Sequence, residues 1–163
     1  MNAHDALTIA LDTGEMVCMA YLGDLSDEDL MRRPHDGCNH LNWQVGHLIA
    51  ADHEMISGCL PDKLPSLPDG FAEKYSRESA GNSDASAFCN KEELMAVYQQ
   101  QRAAVKSLLG ELSADDLDKP SPEAMQAYAP TVGSVFNMLG SHWLMHAGQW
   151  VVVRRQTEKP VVI

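Results

Sequence analysis

Two histidines near the end of the chain have the spacing of metal ligands. His142 and His146 are four residues apart, so on a helix both side chains project from one face, one turn apart. Two imidazoles rarely suffice to hold a metal ion, and a third ligand must come from another helix. His47, midway along the apolar face of an earlier periodic segment, is the strongest candidate. The three residues predict a divalent-metal site with open coordination positions.

The remaining histidines are weaker candidates. His53 follows His47 by six residues, which turns it about 240° around a helix. His4, His35 and His40 lie near predicted helix ends or in loops. His40 directly precedes the helix of His47 and could fold over the mouth of the site, although a loop histidine that faces solvent is the commoner case. The alternative for every histidine, the three candidate ligands included, is a core or surface residue satisfied by hydrogen bonds.

Four amphipathic segments position these residues. In each of them apolar side chains recur at intervals of three and four, which is typical of a helix with one buried face. The predicted N-caps of the last three helices are Asn42, Asn90 and Thr131. No β-rich segment competes, so the sequence predicts an all-α four-helix bundle with neighbouring helices nearly antiparallel. The predicted helices span about residues 3–22, 43–60, 90–110 and 131–155.

The second and third helices are joined by a long connection, residues 61–89, that is rich in proline, glycine and polar turns. We interpret it as a crossover within one domain, 1–163, because 163 residues suit a single core. A crossover of this length is unusual and tends to be functional or partly ordered, as a short helix near 71–75 would allow. It could cover a site.

Two local sequences resemble motifs of the DinB-like superfamily of metal-binding four-helix bundles, which includes YfiT-like proteins. Residues 43–52 carry G-H-L on an apolar helix, and residues 141–149 carry H-x-x-x-H-x-G-Q. A Leu-Ser-x-x-x-Leu element after the first helix, the long connection and a late Thr-Val-Gly also fit, so the resemblance spans nearly the whole chain. It implies that the family's three metal-binding histidines correspond to His47, His142 and His146, and that the chain forms a homodimer through helix faces.

The resemblance also implies a chemistry. Several relatives use such a site to activate the thiol of a small cellular cofactor, such as bacillithiol or mycothiol, for transfer to an electrophile. An ion held by three neutral imidazoles keeps its full charge, so a bound thiol or water loses its proton more easily. Zinc or nickel is expected first, although three histidines also suit iron and copper. The leading hypothesis is a metal-dependent thiol S-transferase of unknown substrate.

Several polar residues could assist such a site. Gln149, on the same face as the histidine pair, is the first candidate to orient a substrate, and Gln44 and Asn137 are weaker ones. Glu54 lies seven residues after His47 and could accept a hydrogen bond from a metal ligand or act as a base, although a solvated glutamate is the commoner case. Trp150 falls on the inner face of the last helix, where an aromatic residue is ordinarily core.

Two rival functions stay open. A metal-bound hydroxide could hydrolyse an ester or amide, and nothing in the sequence separates this from thiol chemistry. The bundle could also be a stress-related module that binds a metal or small ligand without catalysis. The only basic pairs are residues 32–33 and 154–155, and the second already suits the negative end of a helix dipole. The sequence therefore shows no obvious pocket for the carboxylates of a thiol cofactor.

Composition limits the classes of partner that we expect for this protein. With 12 Lys and Arg against 23 Asp and Glu, the chain has a net charge of −11, which repels nucleic acids and anionic lipid surfaces. No apolar run approaches the ~18 residues of a membrane span, and the N-terminus lacks the features of a signal peptide, so we expect a cytoplasmic protein. The four cysteines have no C-x-x-C pair, which argues against a zinc knuckle or redox dithiol.

Overall fold

The computed structural model describes residues 1–163 and is all-helical, as predicted. Three short 3₁₀ turns lie in the connections, and no helix is long and apolar enough to cross a membrane. Four of the α-helices are long and form the bundle. The α-helices are α1 (Ala3–Leu22), α2 (Asp27–Leu30), α3 (Leu41–Cys59), α4 (Phe71–Lys74), α5 (Lys91–Glu111), α6 (Ala114–Leu117) and α7 (Val132–Gln156).

Capping boxes fix where α5 and α7 begin. The Asn90 side chain accepts the backbone N–H of Glu93, whose carboxylate accepts the N–H of Asn90. Thr131 and Ser134 make the same reciprocal pair at α7. Each box satisfies backbone donors that the first turn of a helix leaves free. Both N-caps predicted at these positions are confirmed.

The predicted N-cap of α3, Asn42, is wrong. The helix begins at Leu41, and its cap is His40, whose Nδ1 accepts the backbone N–H of Trp43 at 3.0 Å. The His40 ring is fully buried and lies edge-on to Phe88, with 4.7 Å between ring centroids. Burial lowers the pKa of His40 to about 4, so the ring is neutral and can accept. His40 therefore caps a helix and does not fold over the site.

The bundle has two antiparallel and two parallel pairs of long helices. The start of α3 lies beside the end of α7, because Gln44 contacts Trp150, and these helices are antiparallel. The start of α5 lies beside the end of α1, where Lys91 donates to the carbonyl of Gly23. By contrast α1 and α7 run parallel, as do α3 and α5. The expectation that neighbours are nearly antiparallel therefore holds for only two of these pairs.

The parallel direction of α3 and α5 explains the long crossover. A chain that leaves the end of α3 must return along the bundle before it can start α5 in the same direction. The 19 residues of α3 span about 28 Å, a distance that a tight turn cannot bridge. Arg33 holds the returning segment by donating to the carbonyls of Ala80 and Asn82. The predicted crossover and its short helix are confirmed.

Two glycines allow α1 and α7 to pack closely. A Cβ on Gly140 would lie 2.5 Å from the carbonyl oxygen of Ala10, and a Cβ on Gly14 would lie 3.1 Å from that of Gly140. Backbone atoms cannot yield as a flexible side chain can, so only glycine fits at Gly140. The contact fixes α7 against α1 two residues before His142.

The residues that form the buried face of α7 differ slightly from those that the sequence predicts. Trp143 and Trp150 are buried, as is Ala147, and they pack with apolar side chains of α1, α3 and α5. His142 and His146 lie at the edge of this face and are half-buried. Trp150 is a core residue, as the sequence indicates. The histidines thus occupy the groove between α7 and α3 and not the centre of the core.

An ion pair is buried between α3 and α5. The Arg102 guanidinium donates to Oδ2 of Asp52 at 3.1 Å, and the indole N–H of Trp143 donates to the same oxygen at 2.8 Å. Both charged side chains are less than a tenth exposed. Because an unpaired buried charge is costly, each partner depends on the other. This network fixes Trp143 directly behind His142.

Candidate metal centre

The fold brings the three predicted ligands together. The candidate ligand atoms of His47, His142 and His146 all lie within 4.8 Å of one another. The His47 ring centroid is 5.5 Å from that of His142 and 5.9 Å from that of His146, and the last two are 5.1 Å apart. Two ligands come from successive turns of α7 and one from the facing turn of α3. The other four histidines are not part of this cluster.

The donor set fits a divalent ion. Imidazole nitrogens bind zinc at about 2.0–2.1 Å, so two nitrogens that share an ion lie at most about 4.2 Å apart. Separations of up to 4.8 Å require only small rotations of the side chains to reach that range. Three nitrogen ligands leave at least one position of a tetrahedral ion open, which is the arrangement of a catalytic and not a structural site.

Trp43 supports the ring of His47 from behind. The indole and the imidazole are stacked, with centroids 4.8 Å apart and planes within 6° of parallel. The indole N–H of Trp43 donates to the carbonyl of Ser76 at 3.1 Å and to Oγ of Ser79 at 3.0 Å. Both serines belong to the crossover. The crossover thus sets the orientation of one candidate ligand without supplying a ligand itself.

Gly46, the glycine of the G-H-L motif, has a steric role. A Cβ at this position would lie 2.2–2.4 Å from ring carbons of Tyr75. The Tyr75 ring lies flat on α3 at that point, and its hydroxyl donates to Asn42 and accepts the backbone N–H of Cys89. The absence of a side chain at Gly46 lets the crossover pack directly against the turn that carries His47.

Gln44 fixes the protonation state of His146. Its amide nitrogen donates to the carbonyl of Asn39 at 2.7 Å and to the side-chain oxygen of Gln149 at 3.2 Å. This orients its oxygen toward the indole N–H of Trp150 and Nδ1 of His146, both at 2.9 Å. An amide oxygen only accepts, so Nδ1 of His146 carries the proton. The Nε2 lone pair is then free to bind a metal ion.

The electrostatics keep the three imidazoles neutral. Burial and, to a smaller extent, the neighbouring imidazoles lower the pKa of His142 and of His146 to about 4. Burial also lowers the pKa of His47, although the negative charge of Glu54 acts in the opposite direction. Neutral imidazole is the form that binds metals, since a protonated ring has no lone pair to donate. No proton has to be removed from these residues at neutral pH before an ion can bind.

Comparison with known proteins agrees with this geometry. A family model described as the DinB superfamily matches residues 10–150. The chain belongs to the DinB superfamily. The match contains α3 and most of α7, and therefore all three clustered histidines. No curated protein and no solved structure gives a significant match.

The residues predicted to assist the site of this DinB-superfamily chain differ in whether they contact a candidate ligand. Gln44, a weaker candidate in the sequence, is buried and touches His146 directly. Gln149, the first candidate, is exposed and reaches the site only through Gln44. Asn137 is exposed, and its backbone carbonyl, not its side chain, accepts from the Ser141 hydroxyl. Sequence spacing could have favoured Gln44, which lies one turn before the ligand on α3, but its partners on α7 are more than 100 residues away.

The charged side chains near the centre are few. Glu54 is exposed, has no hydrogen bond or ion pair, and influences His47 through its charge. Arg33 and Arg154 are engaged elsewhere: Arg33 bonds the crossover, and fully buried Arg154 bonds the carbonyl of Tyr21 and pairs with Asp24. The helix dipole is thus an incomplete explanation of Arg154, which ties the end of α7 to the end of α1. Arg32 pairs with Glu28 and Asp29, and Arg155 is exposed in the last turn of α7.

Proposed function

We propose that this protein is a metal-dependent thiol S-transferase, in which His47, His142 and His146 hold a zinc or nickel ion. The observation that carries the proposal is the approach of three neutral imidazoles within 4.8 Å at a half-buried groove. A divalent ion bound there would lower the pKa of a small thiol, as bacillithiol or mycothiol, and prepare it for transfer to an electrophile. Cleavage of the S–H bond releases the thiol proton to solvent, and the sulfur then forms a bond to the reacting carbon of the electrophile while the leaving group departs with the electron pair of the bond that breaks.

The residues around the ligands serve to hold geometry. Gln44 leaves the Nε2 lone pair of His146 free for an ion, and Trp43 holds the His47 ring flat against its own indole. Such outer contacts commonly raise ligand basicity and fix ring orientation. Glu54 is the one acidic side chain beside the centre, and in the proposal it relays the thiol proton to solvent. The core tryptophans exclude water from the back of the groove.

The metal itself is the first thing to test. We expect protein purified untagged and without chelator to carry close to one zinc or nickel per chain by inductively coupled plasma mass spectrometry. His47→Ala and His146→Ala should each lose the ion while they keep the helical circular-dichroism spectrum. His53→Ala is the matched control, since this histidine lies on the same helix and bonds Gln101 instead of facing the cluster. A wild-type protein that stays metal-free after reconstitution with either ion would overturn the proposal.

Product analysis then separates the chemistries. Metal-loaded protein is incubated with an electrophile such as monobromobimane, with and without bacillithiol or mycothiol, and the products are identified by mass spectrometry. Thiol conjugates whose formation depends on the metal and on all three histidines support the transferase. Ester or amide cleavage without thiol would identify a hydrolase instead. Stoichiometric metal with no turnover in either assay would leave a binding module without catalysis.

A homodimer is the second part of the proposal. Ile9 and Met16 on α1 are seven residues apart, as are Met145 and Val152 on α7, and all four side chains are exposed. A spacing of seven places each pair on one face of its helix, so each helix presents apolar surface to solvent. We expect the mass of a dimer by light scattering and of a monomer for Ile9→Lys combined with Met145→Lys. A wild-type monomer across micromolar concentrations would refute the dimer.

A further inference from the structure

A cavity opens beside His142, on the side away from the crossover. It has a volume of about 340 Å³ and lies between α3, α7 and the loop that follows α6. His142 therefore borders both the metal cluster and this cavity. Small-molecule sites commonly begin at about 300 Å³, so the space suits a small organic molecule and is too small for a segment of protein.

The wall of the cavity is almost entirely apolar. Apart from His142 and Glu54, all its lining side chains are apolar or aromatic, and three of them are methionines. Methionine is flexible and polarisable, so a wall rich in methionine adapts to the shape of an apolar ligand. The apolar lining residues are Ala51, Met55, Ala124, Met125, Tyr128 and Met138.

The loop that roofs the cavity is held in place by its own hydrogen bonds. Its two ends pair where the N–H of Ser121 donates to the carbonyl of Pro130 at 3.1 Å. The side chain of Gln126 donates to the carbonyl of Ser121 at 3.0 Å. Met125 packs over Gly58, where an added Cβ would lie 2.8 Å from its methyl carbon. The cavity is therefore formed before any ligand binds, which lowers the cost of binding.

Charge around the cavity favours some ligands over others. Glu54 is the only charged side chain in the lining, and no Lys or Arg is among the lining residues. The chain as a whole carries −11, so its average field also repels anions. An apolar molecule with a carboxylate or phosphate would lose solvation in this cavity without gaining a cationic partner.

We propose that this cavity binds the apolar part of a neutral or cationic small molecule and places that molecule's polar end at His142. This proposal names the chemical class of the electrophile, which is the second substrate of the transferase, and in that respect it rests on the proposed function. Binding itself needs only the cavity and not the metal ion. Glu54, at the same wall, selects a cationic over an anionic ligand.

Three matched naphthalene derivatives test the charge preference. They are 1-naphthalenemethanol, 1-naphthalenemethylamine and 1-naphthoate, which are neutral, cationic and anionic at pH 7. Dissociation constants are measured by calorimetry on chelator-stripped and on zinc-loaded protein. We expect the amine and the alcohol to bind the stripped protein at least ten-fold more tightly than the naphthoate. Equal binding of all three to stripped protein, or no binding of any, would overturn the proposal.

Three variants and a control locate the binding. Ala51→Phe fills the cavity and should weaken binding of the alcohol at least ten-fold. Ala96→Phe, at an exposed site on α5, should leave the affinity for the alcohol unchanged. Tyr128→Ala removes a half-exposed wall residue from a loop and should weaken the alcohol several-fold in a protein that folds normally. Glu54→Gln should remove the advantage of the amine over the alcohol. Alcohol binding unaffected by both cavity variants would refute the location.

The metal content of the same samples separates this proposal from that of the metal centre. Ala51→Phe leaves all three histidines intact, so it should retain zinc while it loses the ligand. A protein that binds the alcohol but no metal supports the cavity and contradicts the transferase. A protein that binds zinc but none of the three ligands supports the metal centre and contradicts the cavity.

Discussion

Replacement of Gln44 by leucine tests whether an outer contact controls the metal site. The side chain is 1% exposed, and its oxygen accepts from His146 and Trp150, both at 2.9 Å. Leucine has similar bulk but accepts nothing, so the His146 ring loses the contact that fixes its tautomer and its orientation. Loss of such a contact typically weakens metal binding ten- to a hundred-fold, or about 1.4–2.7 kcal/mol.

The same change also affects the metal-free fold. The indole N–H of Trp150 would be buried without an acceptor, which costs about 1–3 kcal/mol. Gln44→Glu separates the two effects, because a carboxylate still accepts from His146 and from the indole but cannot donate to the carbonyl of Asn39. We therefore expect Gln44→Glu to lower the free energy of unfolding while zinc affinity stays within about three-fold.

Zinc affinity is measured by competition with a chromophoric chelator, and the free energy of unfolding of the stripped protein by urea titration. Gln149→Leu is the matched control, because this exposed residue hydrogen-bonds only the Gln44 amide nitrogen, which the shorter bond to the carbonyl of Asn39 still orients; its zinc affinity should not change measurably. Wild-type zinc affinity in Gln44→Leu would refute the role of the contact. An equal loss in the leucine and glutamate variants would show that packing, and not the acceptor, controls the affinity.

Three further predictions concern stability. In metal-free protein, burial holds the pKa of His142 and of His146 near 4, so the unfolded chain binds more protons than the folded chain between pH 6.5 and 4. Urea titrations should therefore show that the free energy of unfolding falls by about 2–3 kcal/mol per histidine from pH 6.5 to 4.5. This loss should be absent in the double alanine variant. Gly46→Ala should destabilise by about 1–3 kcal/mol in thermal unfolding despite its gain in helix propensity, because the added methyl meets a tyrosine ring. Arg102→Leu should lower the free energy of unfolding, measured by urea titration, by about 3–5 kcal/mol because Asp52 loses its cationic partner; Asp52→Leu in the same chain should restore part of this, since the indole N–H of Trp143 then lacks its acceptor.

Local signals in the sequence predict most of the fold. Periodic apolar residues and capping residues such as Asn90 and Thr131 place the long helices to within about two residues, because both act through neighbours along the chain. The cap at His40 was not predicted, since histidine rarely caps a helix. It does so here because burial keeps its ring neutral. Parallel α1 and α7 also depend on a contact, Gly140 on Ala10, that no local pattern reveals.

The candidate ligands were predictable and their surroundings were not. The spacing of four indicates His142 and His146, and the position of His47 on the apolar face of its helix, reinforced by resemblance to a motif, indicates the third ligand. Gln44 contacts residues 102 and 106 positions away, so its importance emerges only after the helices pack. The burial of a charged residue was also not predicted. Arg154 is fully buried, whereas its position at a helix end alone indicates an exposed cation.

The direction of the helices divides the metal centre into a rigid and an adjustable part. His142 and His146 share α7, which Gly140 fixes against α1, so their mutual geometry follows from the helix alone. The third ligand, His47, is oriented by Trp43, and Trp43 is held by the crossover. That crossover exists because α3 and α5 run parallel. A change in the crossover can therefore move one candidate ligand relative to the other two while the geometry of the α7 pair stays constant.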